Sequence, residues 1–287
     1  IYNFMKDIVI TNQKELEKIK NQLAKDGTSK LHVLSDFDKT LTTAFVDGKE
    51  IPSLISVLRD GSYLTKDYAE KAQGLFKRYH PIEINPKIPL DKKKKVMHSW
   101  WNEHFDLLIK SGLNKRDLEK VISSDNVKLR EGCLEFLDLL HEYEIPLVIM
   151  SSSGLGYDAI AMYLKRHNRL YKNIHIISNS YEWDKNENAI GIKKPIIHVL
   201  NKDETSIKNY PVFKVIKDRK NVILLGDSLE DKGMVEGFGY KNLIKIGFLN
   251  NNVKQNLKYY KKVYDILILN DSGMDYINNL LKKAIKI

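Results

Sequence analysis

Cysteine is almost missing from this chain. One residue, Cys133, among 287 excludes an internal disulfide and fits a reducing, cytoplasmic setting. It falls among Leu134, Phe136 and Leu137 in a helical pattern, where a buried small side chain is the expectation. Long apolar runs are missing too: none approaches the length of a membrane span, so no membrane partner is expected. The opening Ile1–Lys6 is interrupted by a charge and followed by no h-region, so it is not expected to be a signal peptide. Because residue 1 is not Met, the natural chain is expected to start upstream. Acidic residues are outnumbered, 37 against 47 Lys+Arg, which leaves a net charge of +10. Zinc-finger spacing and RNP-like aromatics are absent, so polymer nucleic acid is not the expected partner. The densest basic run, Lys92–Lys95, follows Asp91 and reads as a solvated helix start. The charge suits steering of a small anionic substrate instead. Internal repeats and low-complexity segments are absent as well.

What is present divides into two textures. Residues 12–25 have helical spacing (Leu16, Ile19, Leu23), closed by Asp26-Gly27, and a first strand follows at 31–35. From 45 to 125 strand-like runs are scarce. Amphipathic helical patterns dominate there, at Leu54–Leu58, Tyr68–Tyr79, Val96–Ile109 and Leu118–Ile122, with Pro81, Pro86 and Pro89 expected as breaks. After 130 helices and strands alternate. Helix 131–142 precedes strand 146–150, helix 157–166 precedes strand 174–177, and a helix near 205–217 precedes strand 222–225. Apolar runs follow at 243–246 and 266–269. Continuous apolar strands separated by helices predict an α/β fold with a parallel sheet covered on both faces. Residues 1–44 and 126–287 would form this Rossmann-like core, with 45–125 a helical cap inserted after the first core strand.

Three of the strands end in chemically useful residues. Leu31–Leu34 leads to Ser35-Asp36-Phe37-Asp38, Leu147–Met150 to Ser151-Ser152-Ser153-Gly154, and Val222–Leu225 to Gly226-Asp227-Ser228-Leu229-Glu230-Asp231. Parallel strands bring such endings to one edge, where α/β sheets bind ligands. Asp36, Asp38, Ser151, Asp227 and Asp231 are therefore expected in one site. Four carboxylates together repel unless a cation sits among them, and an all-oxygen ligand set favours Mg²⁺. A serine hydroxyl, the N–H groups around Gly154 and Gly156 and a lysine would suit a phosphate. The composite predicts metal-assisted phosphoryl transfer. Blander readings stand beside it. Asp36 and Asp38 could open an EF-hand loop, but Leu41 stands where glycine is needed. They could be the D-x-D pair of a glycosyltransferase, which Gly226-Asp227 after another strand opposes. Asp231 could cap the following helix. His198 could be a satisfied core histidine, Glu83 an exposed loop carboxylate, and Trp100 with Trp101 helix-packing aromatics. Lys193 and Lys194 compete with Lys202.

The motif D-F-D-K-T with Ser151, a lysine and G-D-S-L-E-D resembles the haloacid dehalogenase (HAD) superfamily of phosphohydrolases. More narrowly, the chain resembles the cytosolic 5′-nucleotidase III, or pyrimidine 5′-nucleotidase, family over nearly its full length. Ile82-Glu83, Glu131-Gly132, Ile145-Pro146, Ile197–Lys202, Leu224–Ser228 and Lys245–Asn250 carry the likeness in order. The resemblance implies Asp36 as nucleophile and Asp38 as acid and base. It implies Mg²⁺ on Asp36, the Asp38 carbonyl and Asp227 with support from Asp231, and phosphoryl binding by Ser151 and Lys202. Glu83 would contact the nucleoside, and Trp100 would lie near the base. The family's Ser-Ala-Gly is Ser151-Ser152-Ser153-Gly154 here. Counting from Asp36 favours Ser151, whereas aligning the glycines favours Ser152. The implied substrate is a nucleoside 5′-monophosphate, pyrimidine first (UMP or CMP), with 7-methyl-GMP or another small phosphoester as the alternative. A nucleotide- or RNA-binding protein is the non-enzyme alternative. A cytoplasmic monomer is expected.

Overall fold

Asn12 opens the first helix by accepting the Glu15 N–H on its side chain at 3.1 Å, and Gly27, with φ 75°, closes it. The structure, a computed structural model, describes residues 7–51, 53–61, 63–85, 87–202 and 207–285. In chain order it runs β1 (Ile8–Ile10), α1 (Gln13–Asp26), β2 (Leu31–Ser35) and the hairpin β3 (Phe45–Val46) and β4 (Lys49–Glu50). A helical block follows: α2 (Leu54–Asp60), α3 (Tyr68–Ile84), α4 (Leu90–Lys110) and α5 (Lys115–Ser123). Next come α6 (Cys133–Glu142), β5 (Leu147–Met150), α7 (Gly156–Arg166), β6 (Ile174–Ile177) and the hairpin β7 (Tyr181–Trp183) and β8 (Ala189–Ile192). The chain closes with α8 (Phe213–Ile216), β9 (Asn221–Gly226), β10 (Asn242–Leu249), α9 (Val253–Tyr260), β11 (Ile266–Leu269) and α10 (Asp275–Ile285).

Seven strands form the main sheet in the order β1-β11-β10-β9-β2-β5-β6. Every pairing is parallel except that of β1 with β11. β2, β5 and β9 are buried along their whole length, as unbroken apolar runs require of strands covered on both faces. Because β2 lies between β9 and β5, the endings that carry Asp36, Asp227 and Ser151 are neighbours on one edge. The parallel α/β architecture is the expected one. The antiparallel edge strand β1 and the hairpin β7–β8 were not expected, being too short to show a period.

The helical block shares its core with the sheet. Leu54, Leu58, Phe105, Leu108 and Leu118 belong to the same buried cluster as Val33, Phe136, Leu147 and Ile149. Pro89 immediately precedes α4, but Pro81 does not break α3, correcting that expectation. It sits near the end of the helix, where its missing N–H costs only the bond to the Lys77 carbonyl. The helix expected near 205–217 is reduced to a 3-10 turn, Ile207–Asn209, and the four residues of α8. Pro211 between them has no N–H with which to continue a helix. Pro86, the start of the 205–217 stretch and the opening hexapeptide lie outside the described residues. Cys133 is fully buried, as expected. No helix among the described residues is long and apolar enough to cross a membrane.

Candidate active site

Asp36 leaves β2 with its N–H on the Leu225 carbonyl at 3.0 Å, so the first aspartate is anchored to β9. The turn that follows is held from inside by Arg130. This buried guanidinium donates to the carbonyls of Lys39, Thr40 and Ser272 at 2.7–3.0 Å and to Asn250 Oδ1 at 3.0 Å. It also pairs at 3.0 Å with Asp271, whose two oxygens accept the N–H groups of Ala44 and Phe45. Asp38, inside this turn, accepts the Leu54 N–H at 3.1 Å and is thereby joined to the first residue of α2.

Lys202 is the lysine that meets the aspartates. Its Nζ lies 2.8 Å from Asp36 Oδ1 and 2.7 Å from Asp231 Oδ1, with all three side chains buried. Lys194, its competitor on sequence, bonds Asn102 at the surface instead. The other oxygen of Asp231 accepts the N–H groups of Asp227 and Ser228 at 3.1 and 2.9 Å. Ser228 caps the 3-10 turn Leu229–Val235, and Asp231, within its first turn, completes the capping box and also faces the site. A Cβ on Gly226 would lie 2.5 Å from the Asp231 side chain, so this close approach requires glycine. From behind, the Tyr260 hydroxyl donates to the Asp227 carbonyl at 2.7 Å, and that of Tyr264 to the Ser228 carbonyl.

Carboxylate oxygens of Asp36, Asp227 and Asp231 lie within 4.8 Å of one another. Lys202 contacts two of these three acids, and the excess negative charge suits a hard cation on oxygen ligands; this group could hold a metal ion. Burial raises the Asp36 carboxyl, Lys202 opposes the rise and Asp231 adds to it, leaving it at about 6. Burial, reinforced by the charge of Asp36, pushes Asp38 up to about 7. Burial, then Asp231 and Asp36, drives Asp227 well above the ordinary carboxylate range. Burial works against the Lys202 charge, but Asp231 and Asp36 outweigh it and hold the ammonium firmly protonated.

Ser151 follows β5, and its Oγ accepts the Ser153 N–H at 3.1 Å. Asn179 clamps this loop to the segment leading to Lys202. Its side chain donates to the Ser153 and Ile197 carbonyls at 3.2 and 2.9 Å and accepts the Ile197 N–H at 2.9 Å. Gly156, with φ +70°, passes so close that a Cβ there would lie 2.2 Å from the Asn179 carbonyl oxygen. His198 is buried, as expected of a core histidine, and its side chain caps the 3-10 turn Val199–Asn201.

One cavity of about 660 Å³ brings the sequence-derived candidates together: Asp36, Asp38, Glu83, Trp100, Ser151, Ser152, Gly154, Lys202, Asp227 and Asp231 all line it. That volume is in the range of a small-molecule site. Its far wall is aromatic. Trp100 stacks on Tyr79 with centroids 5.7 Å apart, and Phe76 stacks on His80 at 4.5 Å. Glu83, which spacing alone made a loop carboxylate, lies in the last turn of α3 and accepts from or pairs with His80 Nδ1 at 3.0 Å. Arg59, Ser53, Ser56 and His80 line the cavity too and were not singled out from the sequence. Nor were Arg130, Asn179, Tyr260 and Tyr264. A lone side chain whose partners are remote leaves no periodic signal.

Comparison with known proteins follows the same lines. The family model for pyrimidine 5′-nucleotidase (UMPH-1) matches residues 39–285. A Gallus gallus protein described as 7-methylguanosine phosphate-specific 5′-nucleotidase is 33% identical over 261 residues, covering 91% of this chain and 90% of its own. The structure of cytosolic 5′-nucleotidase IIIB bound to cytidine superposes with a TM-score of 0.88 at 26% identity, covering 99% of this chain and 95% of its own. A HAD-family hydrolase from Salmonella enterica serovar Typhi shares the fold alone, with a TM-score of 0.56 at 17% identity over 94% of this chain and 80% of its own. The chain belongs to the pyrimidine 5′-nucleotidase (UMPH-1) family, and so to the 5′-nucleotidases of haloacid dehalogenase type, a class of hydrolases.

Proposed function

We propose that the chain hydrolyses nucleoside 5′-monophosphates, pyrimidine nucleotides first, to nucleoside and phosphate, with Mg²⁺ as its metal. One observation carries this reading. A buried aspartate on a cationic partner, a second carboxyl poised near neutrality and an aromatic compartment with Glu83 share a single cavity. An Asp36 oxygen attacks phosphorus, and the P–O5′ bond breaks as Asp38 gives its proton to the leaving O5′. Water then attacks the aspartyl-phosphate, losing its proton to Asp38, and the bond from phosphorus to Asp36 breaks to release phosphate. Both carboxyls end as they began. Ser151, the N–H groups of Ser152 and Gly154, and Lys202 bind the phosphoryl oxygens. Asp36, the Asp38 carbonyl and Asp227 would hold Mg²⁺, with Asp231 orienting that set. The metal supplies positive charge against the developing phosphoryl charge.

In this reading residues 45–125 act as a cap over a core of 1–44 and 126–287, and the enzyme is a cytoplasmic monomer. A second substrate, 7-methyl-GMP, is favoured by Trp100 and Glu83 lining the same cavity, a setting suited to a cationic base. A pure nucleotide or RNA binder has no use for a buried nucleophile beside an acid. Phosphate release from UMP, CMP, 7-methyl-GMP, AMP and small phosphate esters tests the reading. Turnover is expected for a nucleoside monophosphate and only with Mg²⁺; release from none of them would leave a binder.

The Asp38 carboxyl sets the pH dependence. A carboxyl raised to about 7 keeps its proton below that pH and loses it above. The first step needs the proton, so kcat/KM is expected to fall as pH climbs through about 7, approaching tenfold per unit on the alkaline side. A rate flat from pH 6 to 9 would remove Asp38 from the acid role.

A further inference from the structure

We infer that Arg59 sets base selectivity by placing a fixed positive charge in the base compartment, favouring neutral pyrimidines over the cationic ring of 7-methylguanine. The inference rests on the nucleotide reading above and goes beyond it. Arg59 lies in the last turn of α2 and lines the same cavity as Glu83 and Trp100. Its side chain is only 20% exposed and its Cζ lies 5.7 Å from the centre of the Phe76 ring. Its Nε–H donates to Asp60 Oδ1 at 3.2 Å. No described residue accepts a hydrogen bond from the two terminal nitrogens, which leaves the outer donors of the fork available to a ligand.

The helix also sets the distance. Leu54, at the start of α2, donates to Asp38, and five residues of helical rise carry the chain about 7.5 Å further to Arg59. Asp38 and Arg59 line one cavity, so a ligand whose 5′ oxygen meets Asp38 can reach Arg59 with its base. Glu83, which lines the same cavity, carries the opposite charge to Arg59. A pyrimidine is neutral and offers a carbonyl oxygen to a guanidinium. A 7-methylguanine ring carries a formal positive charge, which Glu83 attracts and Arg59 repels. In an enclosed site of low effective dielectric this repulsion acts over several ångströms. Removing the Arg59 charge leaves Glu83 unopposed and shifts preference toward the methylated purine.

The test compares wild type, Arg59→Gln and Arg59→Lys in the full chain with Mg²⁺. Two quantities are measured: kcat/KM for CMP and 7-methyl-GMP, and the affinity for cytidine and 7-methylguanosine by quenching of tryptophan fluorescence. Arg59→Gln is expected to raise the ratio of 7-methyl-GMP to CMP by about tenfold, and Arg59→Lys to stay within about twofold of wild type. The two nucleosides, which carry no phosphate, should shift in the same ratio. An unchanged ratio in Arg59→Gln, or an equal change in Arg59→Lys, would overturn the inference. If nucleoside selectivity moves while wild type releases phosphate from no nucleotide, the nucleotidase reading fails and the role of Arg59 stands.

Discussion

Replacing Asp36 by asparagine is expected to abolish phosphate release while leaving the protein at least as stable as wild type. The two halves of that result have one cause. The Asp36 carboxylate is buried beside Asp231, and burial and like charge together outweigh the pull of Lys202, raising its pKa to about 6. A carboxyl raised in the folded state stabilises that state only while it is protonated. The contribution is full below its unfolded pKa and is lost as pH rises through about 6, so at neutral pH the ionised group costs stability. Asparagine has nearly the same shape and no charge to desolvate, and Lys202 keeps Asp231 as its partner at 2.7 Å. The amide is no nucleophile, so turnover should fall by a factor on the order of 10⁴ to 10⁶, as for nucleophiles removed elsewhere. Steady-state release from CMP and thermal unfolding at pH 7.5 check the two halves. Turnover within tenfold of wild type would remove Asp36 from the nucleophile's role. A large fall in stability would mean that its charge holds the fold together.

Lys202→Met is expected to lose both activity and stability. Methionine keeps the length and apolar stem of lysine but removes the only cation that touches Asp36 and Asp231 among the described residues. Breaking a buried pair by deleting one partner costs about 3–5 kcal/mol, because the remaining charge stays desolvated and alone. Asp36 and Asp231 then have no ammonium in contact, and without Lys202 to oppose burial the Asp36 and Asp227 carboxyls are raised further. The loss should therefore be greatest at alkaline pH and shrink as pH falls and the carboxyls take up protons. Urea unfolding at pH 6 and pH 8, without divalent cations, measures this. Added Mg²⁺ should return part of the lost stability, a readout independent of turnover. Activity should drop by about 10²–10³ even with Mg²⁺, the range for losing one electrostatic contact to a transition state. Unchanged stability at pH 8 would show that Lys202 is not the counter-ion of this cluster.

The two variants separate a charge that does chemistry at a cost to the fold from one that keeps the fold tolerable. Evolution of active sites commonly leaves such a trade between stability and activity. Here it is concentrated in Asp36, Asp227 and Asp231, beyond the ends of the adjacent strands β2 and β9, and in Lys202.

Those strand ends were legible in the sequence because the signals are local. An apolar run followed at once by Asp36-Phe37-Asp38, Ser151 or Gly226-Asp227 marks a buried strand and the polar residues just beyond it. Parallel connection then brings the endings together without coordinates. Lys202 was legible only through its motif, since nothing in its spacing separates it from Lys193 or Lys194. Only the tertiary structure decided what holds the site in shape. Arg130 reaches carbonyls some 90 residues away, and Asp271 accepts N–H groups more than 220 residues away. Such contacts leave no period in the chain. Tyr264 sits against Gly247, where a Cβ would come within 2.5 Å of its ring, a constraint visible only once the two segments are packed. The base compartment belongs to the same class. Glu83, Trp100 and Arg59 come from three different helices, and each helix has other polar residues that do not line the cavity. The sequence by itself thus determined the parallel strands of the sheet and the polar residues just beyond them, through local apolar runs. The packing of helices against that sheet decided which charges surround the base, because the side of a helix that faces a cavity depends on its partners.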